Sequence, residues 1–210
     1  MSYLTLVKSA APGTPAADKG AWFFDTNAEL MFFKNDAGRC FGQSNNGSTA
    51  AQGAGFAADT YVTDSDILIP SFSMQAKTLM RWVISVSKTA AGVATPIYTF
   101  RIGSARTTAD TSRLVLTGPA QTAAVDTGII TLHLLCRNVG AAGVLQGSVS
   151  INHNVAAGGL ANNDAGMVEA TSAGFDNQAS AIAGQFIGLS INGGTSAAWT
   201  ITQTRVEVVW

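Results

Sequence analysis

Apolar and polar positions alternate along Leu79–Gly103. Met80, Trp82, Ile84 and Val86 alternate with Arg81, Ser85 and Ser87, and further on Tyr98, Phe100 and Ile102 alternate with Thr99, Arg101 and Gly103. A period of two places successive side chains on opposite faces of a pleated strand, a surface that β-branched and aromatic residues suit. Gly92 and Pro96 lie between the two runs and mark a loop, so the pattern predicts an antiparallel hairpin with a buried aromatic face. Further strands are predicted at Thr60–Val62, Asp66–Ile69, Arg113–Leu116, Ile129–Arg137, Leu145–Asn152, Phe186–Ile191 and Trp199–Trp210. In the last, the apolar phase runs Trp199, Ile201 and then shifts to Val206, Val208 and Trp210, as a β-bulge requires. Eight or nine strands with regular turn signals and no helical period predict an all-β fold. Residues 56–210 read as an antiparallel jelly-roll sandwich with Trp82, Ile84, Val86, Phe100, Leu132, Leu134, Leu189 and Trp199 in its core.

The N-terminal part has a different pattern. Residues 1–19 read as an extended arm, with Tyr3, Leu4 and Leu6 ahead of a breaker run containing Pro12, Gly13 and Pro15. Residues 20–42 read as a small three-stranded meander with turns at Asp25–Ala28 and Asn35–Gly38. It carries Trp22, Phe23, Phe24, Phe32, Phe33 and Phe41, more aromatic surface than so small a sheet can hide. With the arm, these residues are the candidates for an anchoring interface. Residues 43–55 (QSNNGSTAAQGAG) read as a polar linker, and 155–184 as a long small-residue loop, a length that implies either a function or hidden short strands such as Met167–Ala170.

Only 12% of the 210 residues are charged, against about 25% in an ordinary globular protein. Low charge, with apolar residues such as Val83 and Leu135 opposite the core sets, predicts that partner copies cover part of the surface, in a homotrimer. A net charge of -1 argues against nucleic-acid binding. Lys77, Arg81, Lys88, Arg101, Arg106 and Arg113 alternate with apolar residues and read as outer strand faces. No apolar run approaches the roughly 20 residues of a membrane-spanning helix. Cys40 and Cys136 show no metal-ligand spacing and read as two buried thiols. Asp25, Asp59, Asp110 and Asp126 each precede Thr at a strand boundary, where such side chains bond nearby amides. Asp64 and Asp66 alone make no calcium loop. His133 and His153 share no local motif with a carboxylate, and no catalytic or cofactor motif is present. The sequence reads as a non-enzyme without metal or cofactor.

Gly20–Gly42, with its aromatic strand, Asp-Thr turn and Asn35-Asp36-Ala37-Gly38, resembles the short sheet modules at the N-termini of tailed-bacteriophage virion proteins. Trp82–Thr111, Gln121–Asp126 and Ala198–Thr202 are similar to the jelly-roll domains of phage fibres and capsid decoration proteins. The resemblance implies a TNF-like jelly roll and an outward-displayed homotrimer, held on the virion through its N-terminal region. The partner would be the major capsid protein or another structural protein of the head or tail. The alternative is a fibre head that binds a host-surface glycan or receptor through the 155–184 loop and the strand-end loops.

Overall fold

Three sheets build the chain in this computed structural model, which describes residues 8–155, 158–161, 167–193 and 198–210. Strands β1 (Lys8–Ser9), β2 (Gly20–Asp25), β3 (Met31–Asn35) and β4 (Cys40–Phe41) form a small sheet in that order. Short strands follow: β5 (Gln43–Ser48), β6 (Gln52–Gly55), β7 (Thr60–Tyr61) and β8 (Ile67–Leu68). The longer ones are β9 (Leu79–Lys88), β10 (Ile97–Gly103), β11 (Thr111–Thr117), β12 (Asp126–Asn138) and β13 (Val144–His153), then β14 (Met167–Thr171), β15 (Phe186–Asn192) and β16 (Trp199–Val209). A large sheet runs β14-β13-β12-β9-β16-β5, with β6 also on β16. It faces a five-stranded sheet running β11-β10-β15-β7, with β8 also on β15. Every pairing is antiparallel except β1 with β2. The fold is an all-β antiparallel jelly-roll sandwich.

The expected hairpin between β9 and β10 does not exist. β9 lies between β12 and β16, and β10 lies between β11 and β15 in the opposite sheet. The alternation was legible, but it states only that each strand has an apolar face. Two such faces can be covered side by side under a third layer or face to face, and here they meet face to face. Trp82 of β9 packs on Phe100 of β10 with ring centroids 4.8 Å apart, and the indole Nε1–H donates to the Ser65 carbonyl at 2.6 Å. Around this contact, Ile84, Val86, Leu132, Leu134, Leu189 and Trp199 are all buried in one core. In β16 the pairing with β9 shifts register between Ile201 and Gln203, where the apolar phase changes.

Residues 43–55 are not a linker. They are β5 and β6, both paired with β16. Polar composition misled because β5 is an edge strand whose inward side chains, Ser44 and Ser48, are small enough to be buried with their hydroxyls in use. Trp210 Nε1–H, for example, donates to Ser44 Oγ at 2.7 Å. Burial alternates without a break from Cys40 through Gly42 to Ser48, so β4 and β5 are one extended run joining the small sheet to the large one. Gly42 is required there: a Cβ would run into the Phe32 ring.

The 155–184 segment is partly ordered by pairing. β14 extends the large sheet beside β13, Phe175 is buried with the Arg113 guanidinium 4.6 Å over its ring, and Ala179–Ile182 makes a single helical turn, α1. Lys88, expected on an outer face, is buried. Its position in β9 has core-side parity, and its ammonium donates to the carbonyls of Thr89, Thr122 and Ala124.

The Trp82–Phe100 contact generates a stability prediction. Trp82→Ala is expected to lower unfolding free energy by about 3–5 kcal/mol in urea titration. Trp82→Phe, which keeps a ring but loses the bond to Ser65, is expected to cost less.

Candidate functional site

The small sheet has two apolar faces with different environments. Phe23 and Phe32 pair across β2 and β3 and turn inward, stacked at 5.9 Å. Phe72 meets both rings edge-on, at 6.2 and 5.0 Å, and itself meets Trp210 at 6.2 Å. Phe23 and Phe32 are therefore core residues of this chain and not part of an anchoring interface. They were misassigned because the cover, Phe72 and the C-terminal Trp210, is remote in sequence.

The opposite face is open. Trp22, Phe33 and Phe41 are cross-strand partners in one row, and Phe24 and Met31 form the next. Trp22 is 60% exposed and Phe41 42%, while Phe24 and Phe33 are half-buried. Trp22 lies 5.3 Å from Phe33, and Phe33 lies 6.5 Å from Phe41. Phe33 leans over Gly20, where a Cβ would collide with its ring, and Arg39 caps the row 5.4 Å over Phe41. This row is a contiguous aromatic surface with an apolar second row. Tyr3, Leu4 and Leu6 lie outside the described residues.

Polar bonds hold this surface in a fixed orientation. The buried Asp25 carboxylate accepts the amides of Asn27 and Ala28 in its own turn and the amide and hydroxyl of Ser71. Gln75 bonds both backbone groups of Cys40, at 2.9 Å each. Lys8 pairs with Glu29, and Lys34 donates to the Pro12 carbonyl.

Several side chains able to do chemistry are engaged in bonds within the fold. Arg101 donates to Ser190, the Asp110 carbonyl and Asp59. Arg106 pairs with buried Asp66 and lies 4.8 Å over Phe186. The Asp110 carboxylate accepts the amides of Ala105 and Arg106. Among the described residues, no group of three or more His, Cys, Asp or Glu is placed to hold a metal. Cys40 and Cys136 are free and buried, and burial pushes both thiols up to about 11, which leaves them protonated at neutral pH. His133 stands exposed on the outer side of β12. His153 bonds Asp126 at 2.8 Å, and Asp126 also accepts the amides of Thr127, Asn154, Val155 and Leu160. Burial by itself would raise the Asp126 pKa. The Leu160 amide, the His153 imidazole and the Thr127 amide outweigh it and hold the carboxyl below its ordinary value.

No protein family and no curated protein matches the chain. Among solved structures it is similar to peanut lectin with a 9mer peptide (PVIWSSATG), with a TM-score of 0.36 and 8% identity over 80% of this chain and 99% of that chain. The architecture stated above rests on the strand order of the chain itself.

A carboxylate with a lowered pKa stabilises the fold above its unfolded value, and that contribution is lost as pH falls through the folded one. Asp126→Asn is expected to be less stable than wild type at neutral pH by about 1–3 kcal/mol. The difference should shrink as pH drops below about 4, where the unfolded carboxylate begins to protonate while the folded one is still ionised. Thermal unfolding followed by circular dichroism across that range checks both.

Proposed function

We propose that the chain is a non-enzymatic structural protein of a bacteriophage virion, a homotrimer displayed outward from the particle and attached through its N-terminal sheet. The observation that carries the attachment is the open row of Trp22, Phe33 and Phe41. Apolar surface of this kind on a soluble protein marks contact with a partner, and aromatic residues dominate the energetics of such contacts. Asp25–Ser71 and Gln75–Cys40 hold the row rigidly on the sandwich, so little ordering entropy is lost on docking. The partner is the major capsid protein or another virion protein presenting an apolar groove. The virion assignment itself rests on the sequence resemblance.

A second reading, a receptor- or glycan-binding fibre head, is favoured by the exposed indole of Trp22, whose face can stack on a sugar ring. Among the described residues of the 155–184 segment, the one aromatic side chain, Phe175, is buried, so that segment does not supply the stacking surface.

The test is attachment of purified Trp22→Ser/Phe41→Ser to particles assembled without the protein. Both positions are exposed, so the variant is expected to melt like wild type while attachment falls by at least about tenfold. Unchanged attachment would overturn the anchoring face. Loss of binding on a glycan array, with attachment intact, would favour the second reading.

A further inference from the structure

The outward face of the large sheet carries its own pattern, readable from the register. Val209, Leu79 and Leu135 are consecutive cross-strand partners in one row, and all three are exposed aliphatics. Ile129 is another, three rows away beside Ser85. Between them lie Glu207, Arg81, His133, Ser148 and Glu169 in one row, and Arg205, Val83, Thr131 and Ser150 in the next. From the Leu79 row to the Ser85 row the charged side chains are Arg81, Arg205, Glu169 and Glu207. They sum to zero, and no lysine is among them.

We infer that this face is the surface through which copies of the chain associate. The inference rests on the homotrimer reading above and names the surface it left open. Three observations point to a second copy as the occupant. First, extent: at ~4.8 Å between strands and ~3.4 Å per residue, six strands over Leu79–Val83 and four over the rows from there to Ser87 present roughly 700 Å². A stable interface buries about 800 Å² per partner. Second, charge: a face with no net sign does not repel another copy of a chain whose net charge is -1, whereas a face built to meet a strongly charged partner would show a net sign. Third, composition: lysine is depleted from interfaces, and here exposed aliphatics occupy positions where lysine ordinarily keeps an outer sheet face solvated.

The test is light scattering on the full chain. Wild type is expected at three times 21.6 kDa, Leu79→Glu/Leu135→Glu at one copy with an unchanged melt, and Trp22→Ser/Phe41→Ser still associated. Should the glutamate variant misfold, a second measurement decides. Ile129→Cys (47% exposed, on this face) and Val115→Cys (46% exposed, on the opposite sheet) are treated with a short bismaleimide, both native thiols being buried. Cross-linked copies through Cys at 129 and not at 115 support the inference. Full-mass glutamate variants, or cross-linking at 115 alone, overturn this face while leaving the oligomer reading standing. Wild type at the mass of one copy overturns both the face and the trimer, and leaves attachment through Trp22 and Phe41 to its own assay.

Discussion

The contact of Trp82 with Phe100 is the constraint on which the sandwich depends. It joins the middle of the large sheet to the middle of the five-stranded one. The bond from its indole to Ser65 also fixes the segment between β7 and β8. Asp66, the next residue, then reaches Arg106 from the loop after β10. One buried ring pair thereby sets the spacing of two sheets and the course of a connection. A buried indole without its acceptor would carry an uncompensated donor, which is why Ser65 is itself buried beside it.

A second constraint is continuity. Only Gly42 separates β4 from β5, its carbonyl accepts the Trp210 amide at 3.0 Å and Gln75 bonds Cys40, so the small sheet is joined directly to the sandwich. Its inner face completes the core at the C-terminal end, where Phe72 and Trp210 meet Phe23 and Phe32. Among the described residues its outer face has no such cover, and it holds Trp22, Phe33 and Phe41 in fixed positions. The same rigidity that removes the linker favours the attachment proposal, because a docking face held by its own fold needs no ordering when it binds.

The few charged groups serve the fold. Lys88 ties three carbonyls across the end of the sandwich, Asp126 gathers the chain after β13, and Arg101 and Arg106 clamp the 59–66 segment to β10 and β15. In a chain with so few charges, committing these groups to bonds within the fold leaves fewer of them free on the outer surface. Such a surface is compatible with contact between copies.

For the strands with clear apolar alternation, existence and parity, like the bulge in β16, were determined by the sequence alone, because a two-residue period is a local property of the backbone. So was the turn chemistry: Asp25, Asp110 and Asp126 each bond amides a few residues away, as Asp at a strand boundary does. The local pattern also singled out Trp22, Phe33 and Phe41. It could not separate them from Phe23 and Phe32, since both sets share one small sheet and differ only in which side meets Phe72 and Trp210. Tertiary structure alone decided that β9 and β10 face each other and do not pair, that a polar stretch at 43–55 is an edge strand, and that Lys88 lies inside. Each of these outcomes depends on partners 17 to 166 residues away, and periodicity carries no information about what covers a face, only that a face exists.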